Sequence, residues 1–391
     1  MYIILSLDAL GPSLTGIGRY SWELATRLPE AISAGNIRYL RHGRWIIDPS
    51  TLLARPKRFL AWKSVLQLPL ISPPRCLKKL RLEHACRGSI FHGPNYFIPD
   101  YADIGIATVH DLSIFKFPET HPAERIRQFE REFNRTLDRA SHLITDSEAI
   151  RMEVIDSLNW PEDRITAVPL GVSSEFGPMP YGALQPCMRK YGLTEGGYTL
   201  CVSTLEPRKR IDKLLLAYQA LPQDLRTRFP LILAGSTGWL SEALQERIEL
   251  YSRQGWVCYL GFVPESDLPA LYAGARLFAF PSVYEGFGLP VLEAMASGIP
   301  VVTSNCSSLP EITQGAALLA DPDNVDELGQ FIVKGLCDDG WRSTARSGGL
   351  SVAETCTWGK CVEQTVRVYE YVAERHSLFK RSSQRPSTRT T

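Results

Sequence analysis

Twice along this chain, short apolar runs alternate with segments of helical period, and this repeated alternation limits the architecture more than any other feature. In the first half, YIILSLD, SIFHGPN, GIATVHD, HLITDS and ITAVPLG read as strands. Between them, AERIRQFEREFNRTLDRA sets Ile126, Phe129, Phe133 and Leu137 at spacings of three and four, which is a helix with one buried face. In the second half, YTLCVST, LILAGS, VCYLGF, LFAFPS and PVVTSN read as strands, with RIDKLLLAYQAL, SEALQERIELYSRQ and PVLEAMAS as the helices between them. Strands joined through helices pair in parallel and are covered on both faces. The expected fold class is therefore α/β, with two doubly wound Rossmann-like domains facing each other across a cleft.

A length of 391 residues suits two cores better than one. The stretch 172–197, rich in Gly and Pro and without period, is the expected divide. The expected organisation is a first domain over 1–175, a second over 176–357, a C-terminal helix over 358–376 that crosses back to the first domain, and a disordered polar tail over 377–391. A formal net charge of +1 gives no support to a nucleic-acid partner. Nine cysteines, an odd number with no C-x-x-C pair, argue against a disulfide framework and fit a reducing cytoplasm. The N-terminal run YIILSL is short and has no basic region before it, so it reads as a buried strand rather than a signal peptide. No apolar run reaches the roughly 18–20 residues that span a bilayer.

Ligands of open parallel sheets bind beyond the carboxyl ends of the strands. Motifs at those ends therefore carry the functional reading. In YEGFGLPVLEAMASG, Glu285 and Glu293 lie eight residues apart, about 800° of helical rotation, so they do not share one helix face. The spacing fits Glu285 on a loop and Glu293 in the first turns of a helix that Pro290 opens. The backbone N–H groups of Gly286, Phe287, Gly288 and Leu289 then lie at the positive end of that helix, a site for a phosphate. Arg208 and Lys209, between a strand and a helix in STLEPRKRIDKLLLAY, have the chemistry to clamp a diphosphate. The other reading of this basic run, Arg210 included, is a solvated face.

Three further features have two readings each. Gly16 and Gly18 precede the helical period of Tyr20, Leu24 and Leu28, so they either admit a ligand phosphate to the backbone or only let the chain bend. No third glycine follows at the spacing of the dinucleotide fingerprint. His110 ends a strand and so either points into the cleft or is a hydrogen-bonded core residue. RPKRFLAWKSVLQLPL, within a base-rich segment over 38–87, either lies on an anionic membrane surface or packs as an ordinary amphipathic helix.

Asp321-Pro-Asp323 matches the D-x-D pattern of cation sites, but a helical pattern follows, and Asp323 or Asn324 serves more simply as its N-cap. Asp338-Asp339 reads the same way, and the histidines lack zinc spacing. The expectation is no metal and no cofactor, with basic groups and helix N-termini neutralising a leaving diphosphate.

With these residues assembled, the chain resembles the retaining glycosyltransferases of family 4, which have the two-domain GT-B fold. The resemblance runs from TGIGRY through HGPNYFIP, VHDL, TDSEAI, VPLGV and TLEPRK to FPSVYEGFGLPVLEAMASGIPVV, whose E-x7-E motif is the most specific part. It implies an acceptor-binding first domain and a second domain that binds a nucleotide sugar. It implies that Glu285 contacts the donor sugar, that Glu293 binds the ribose, and that the 286–289 amides with Arg208 and Lys209 hold the diphosphate. Gly16, with Gly18, would approach the same phosphates, His110 would hydrogen-bond the donor sugar, and Val263 is placed among the donor-binding residues.

One departure stands out: many members carry Gly-Arg before the basic pair, where this chain has Ser203-Thr204, so Arg208 is expected to substitute. TLEPRK is similar to a bacterial mannosyltransferase subgroup of surface-polysaccharide assembly, which points to GDP-mannose as donor and to a glycan or lipid-linked acceptor at the inner face of the cytoplasmic membrane. Rival readings are a UDP-sugar transferase, a sugar synthase or an epimerase on the same fold, a nicotinamide-dependent oxidoreductase, and a non-catalytic nucleotide-sugar-binding subunit.

Overall fold

The computed structural model describes residues 1–383 apart from 13, 15, 55–74, 121 and 239–241. The first sheet contains β1 (Tyr2–Ser6), β2 (Ile37–Arg41), β3 (Arg44–Ile46), β4 (Ser89–Gly93), β5 (Ile104–Val109), β6 (Ala140–Thr145) and β7 (Ile165–Ala167). Their order is β3-β2-β1-β4-β5-β6-β7. All neighbours pair in parallel except β2 and β3, which form an antiparallel edge. Every residue of β4 and β5 is buried, as strands covered on both faces require.

The second sheet contains β8 (Thr199–Val202), β9 (Leu231–Ala234), β10 (Val257–Gly261), β11 (Leu277–Phe280), β12 (Val301–Ser304) and β13 (Leu318–Ala320), all parallel, in the order β10-β9-β8-β11-β12-β13. In both sheets the order reverses at the centre, next to β1 and next to β8, and that reversal opens the crevice where ligands bind in folds of this type. The ten runs read as strands are all present. Three further strands, β2, β3 and β13, were not expected.

The Trp358–Ser383 helix packs against the Gly16–Ile32 helix. Its Trp358, Cys361, Val362, Val368, Tyr369 and Val372 join Leu5, Tyr20, Leu24 and Leu28 in the first-domain core. The Tyr369 hydroxyl reaches Nδ1 of His92 on β4 at 2.6 Å. The outgoing and returning segments of the chain run side by side: Val172 N–H donates to Cys356 O at 3.1 Å, and a Cβ on Gly171 would stand 2.0 Å from Trp358 N. Residues 377–383, expected to be disordered, instead continue this helix, because the helical pattern runs on past the apolar positions that anchor it; 384–391 lie outside the described residues. RPKRFLAWKSVLQLPL also lies outside them. Among the described residues, no helix is long and apolar enough to cross a membrane.

Candidate active site

Because β8 and β11 are neighbours, the loops that leave their carboxyl ends must meet. After β8 the chain enters a 3-10 turn, Pro207–Lys209, before the Ile211–Ala220 helix. After β11 it loops to the Leu289–Ala296 helix, with Gly288 at φ 109° as the N-cap. Leu289 opens that helix and Pro290 is its second residue, one position later than the sequence implied. Val283 N–H donates to Arg208 O at 3.0 Å, and the Arg208 guanidinium donates to Tyr284 O.

Glu285 sits between the two loops and is 8% exposed. Lys209 Nζ is 2.5 Å from its Oε1, and the Arg208 guanidinium is 3.7 Å from its Oε2. Arg208 also pairs with Glu206 at 2.9 Å. Lys209 Nζ stands over the Phe280 ring, 5.3 Å from its centre. Burial pushes the Glu285 carboxyl up, but Lys209 and Arg208 outweigh it and hold the group below the usual carboxylate range. The Glu285 carbonyl accepts from Ser307 Oγ at 2.7 Å and Ser308 Oγ at 3.0 Å, which fixes the loop from below. Among the described residues, the N–H groups of Gly286, Phe287, Gly288 and Leu289 have no protein acceptor. Two cations and a row of free amides therefore converge at a helix N-terminus, which suits a diphosphate.

The first domain grips the same loop. A Cβ on Gly286 would stand 2.0 Å from His110 O, so only glycine admits this approach. Ser147 Oγ donates to Gly286 O at 2.7 Å, and Leu112 N–H donates to the Tyr284 hydroxyl at 2.8 Å. The Tyr284 hydroxyl in turn donates to Glu153 Oε1 at 2.9 Å. Glu311 accepts from Glu148 N at 2.9 Å and Ala149 N at 3.0 Å, and so caps the Glu148–Leu158 helix from the other domain. Phe287 is buried in the first-domain core, so its ring is closed to a ligand. Gly16 opens the helix of the first domain opposite Leu289, with its imagined Cβ 3.8 Å from Leu289 Cδ1, and Gly18 is buried in the first turn of that helix.

His110 is placed at the cleft, yet it is 7% exposed and both ring nitrogens are taken. Nδ1 lies 2.7 Å from Asp146 Oδ2, and Nε2 lies 2.8 Å from Pro94 O. Burial lowers its pKa, but Asp146 more than compensates and holds the ring toward its charged form. Both nitrogens then donate, and the group facing Gly286 is the His110 carbonyl, not the imidazole.

Glu293 is half-buried, and burial pushes its carboxyl up to about 7. Tyr272, whose buried hydroxyl meets no full hydrogen-bond geometry, and Arg19 pull the other way. Arg19, from the first domain, forms an ion pair with Glu265 of the second. Val263, two residues past β10, packs into the second-domain core and makes none of the contacts described above.

Sequence reasoning passed over Arg19, Asp146, Glu265 and Glu311. Arg19 lies within the quoted GIGRY, but its partner is 246 positions away along the chain. The D-x-D run serves structure: Asn324 Oδ1 caps the Val325–Cys337 helix, and Asp323 pairs with Arg210 at 3.2 Å. Asp338 caps the Asp339–Thr355 helix in the same way.

Residues 188–345 match the family model described as glycosyl transferases group 1. Over 381 residues the chain is 42% identical to the O-antigen chain mannosyltransferase B of Escherichia coli, covering 95% of this chain and 100% of that protein. It is 30% identical over 278 residues to a serotype-specific mannosyltransferase WbdA of Escherichia coli, covering 68% of this chain and 34% of that longer protein. In solved structures it is similar to WaaG, a glycosyltransferase involved in lipopolysaccharide biosynthesis, with a TM-score of 0.68, 18% identity, and coverage of 94% and 99% of the two chains. It is also similar to Anabaena HepE in complex with UDP-glucose, with a TM-score of 0.71, 18% identity, and coverage of 95% and 100%. At this identity the likeness to the two solved structures shows the GT-B fold.

Proposed function

The chain belongs to the group 1 glycosyl transferases, and we propose that it moves a mannosyl residue from GDP-mannose to a hydroxyl of a glycan or lipid-linked acceptor in surface-polysaccharide assembly, with retention of configuration. The observation that carries this reading is the meeting of Arg208, Lys209 and Glu285 beside the free amides of 286–289, in the crevice of the second sheet. The identity to an O-antigen mannosyltransferase supports the choice of sugar and pathway.

In the proposed reaction, negative charge grows on the departing diphosphate as the sugar becomes oxocarbenium-like. Lys209, Arg208 and the helix N-terminus stand in place for that charge before reaction begins. Glu285, held ionised, would face the sugar hydroxyls, and Glu293 the ribose. The departing phosphate would take the proton of the acceptor hydroxyl on the same face of the ring. With two side-chain cations and four amides at the helix N-terminus, the chemistry would need no divalent ion.

The deciding experiment is a thermal-shift screen against GDP, UDP, ADP and their sugars, followed by NMR of the product formed from the stabilising donor. Stabilisation by GDP-mannose and an axial product linkage that persists in EDTA are expected. A preference for UDP-sugars, an inverted product, or loss of activity in EDTA that divalent ions restore would each overturn the corresponding part.

A further inference from the structure

Tyr284 belongs to the second domain's loop after β11, yet its side chain is seated in the first domain. It is 3% exposed and packs with Leu112, Ile150 and Val154. Among the described residues, it is the one buried side chain that the second domain contributes to that cluster. The Phe117 ring stands 5.6 Å away, centre to centre, and Lys116 Nζ lies 5.1 Å from the centre of the Tyr284 ring. Burial of the ring would suit phenylalanine as well as tyrosine. The hydroxyl is what separates the two.

That hydroxyl is matched in both directions by the first domain. It accepts from Leu112 N–H at 2.8 Å and donates to Glu153 Oε1 at 2.9 Å. Glu153 Oε2 is in turn 3.1 Å from Lys116 Nζ. Lys116 therefore touches both the ring and the carboxylate, and it holds Glu153 in the orientation that receives the hydroxyl. A buried phenol needs such partners, and one that uses both is fixed in depth and in rotation.

The backbone of the same residue faces the charge cluster. Its carbonyl accepts from the Arg208 guanidinium, and from Ser282 Oγ at 3.3 Å. The other groups beside that guanidinium are two side-chain carboxylates, Glu206 at 2.9 Å and Glu285 Oε2 at 3.7 Å. The Tyr284 carbonyl is thus the main-chain acceptor that aims Arg208, and Glu285 is the next residue along the chain. A side chain anchored in one domain sets the place of two charged groups in the other.

We infer that Tyr284 is a positioning residue of the transfer reaction: its hydroxyl, held by Leu112 N–H and Glu153, fixes the carbonyl that aims Arg208 and the backbone that carries Glu285. The inference rests on the glycosyltransferase reading and adds to it a requirement that reaches across the two domains. In the ground state, Lys209 and the 286–289 amides can hold the diphosphate without Arg208. The charge that grows in the transition state draws on Arg208 as well, so the loss falls on kcat rather than on KM.

The test is steady-state transfer by the full chain from the donor selected in the thermal-shift screen. Tyr284→Phe should lower kcat by about 10²-fold, the cost of a misplacement of about 1 Å, with the donor KM close to native. Glu153→Leu should do the same. Glu153→Gln loses the Lys116 ion pair as Glu153→Leu does, but it keeps an oxygen for the hydroxyl, and it should restore most of kcat. The double variant Tyr284→Phe/Glu153→Leu should be no slower than either single one, because both changes break one contact. Should Tyr284→Phe fail to fold, the comparison of Glu153→Leu with Glu153→Gln decides by itself. Native kcat in Tyr284→Phe or Glu153→Leu, a loss carried entirely by KM, Glu153→Gln as slow as Glu153→Leu, or losses that multiply in the double variant would overturn the inference and leave the reaction standing. Absence of transfer by the native protein from every nucleotide sugar would remove the reaction and the inference together.

Discussion

Glu285 stays ionised in a nearly dry site because Lys209 and Arg208 flank it. Removing Lys209 strips the carboxylate of its nearer cation, so Lys209→Ala should cost roughly 3 kcal/mol of stability and lower turnover by about 10²–10³. Adding Glu285→Gln should restore most of the melting temperature and none of the activity, and a variant pair that melts alike would count against the coupling. Glu293 gives a pH signature. Its folded pKa, about 7, lies above the ordinary carboxyl value, so its contribution to stability is complete below the unfolded pKa and is lost as pH rises through 7. The melting temperature should therefore fall between about pH 5 and 7 in the native protein and lose that component in Glu293→Gln. If Glu293 accepts from ribose hydroxyls as a carboxylate, nucleotide affinity should tighten as pH rises through 7, and titrations at pH 6 and 8 would read this directly. Both glutamates and the basic pair were legible as motif residues. The closed ring state of His110 was not, because Asp146 and Pro94 approach it only through the pairing of strands and loops.

At the scale of elements, the strand-end loops decide the site, and their tolerance of a methyl group differs sharply. A Cβ on Gly286 would meet the His110 carbonyl at 2.0 Å, whereas one on Gly16 would meet only Leu289 Cδ1 at 3.8 Å. Gly286→Ala should therefore drive the Glu285 loop away from the first domain, with a fall in melting temperature and activity lost. Gly16→Ala should keep the melting temperature and weaken donor binding alone, measured as a KM rise for the nucleotide sugar; unchanged KM would place the diphosphate away from this turn. The ten strands read in advance were legible because each lies in a short, largely continuous apolar run, as strands of a covered parallel sheet do. β2 and β3 escaped because IRYLR and RWI interleave apolar residues with charge at an antiparallel edge. The Gly-Phe-Gly turn showed its own need for glycine, but not which neighbour imposes it.

Across the whole molecule, the halves are tied by the Tyr284, Gly286 and Glu311 contacts, by the Arg19–Glu265 ion pair, and by the last helix lying on the first domain. Val362, Val368 and Val372 of that helix, at roughly 1.5–3 kcal/mol each, amount to a large share of a domain stability of about 5–15 kcal/mol. Ending the chain at Thr357 should therefore abolish soluble expression, whereas ending it at Ser383 should leave the melting temperature unchanged; a soluble, cooperatively melting 1–357 fragment would contradict the role given to the helix. Two domains and a cleft could be inferred from alternation alone. The return of the chain to the first domain was expected of a helix over 358–376, but the residues it covers there, Tyr20, Leu24 and Leu28, were not, since nothing local records them. Its consequence falls on biosynthesis. The wall that completes the first core follows the whole second sheet along the chain, so at roughly 5–20 residues per second the nascent first half waits with Tyr20, Leu24 and Leu28 uncovered while the second domain is made.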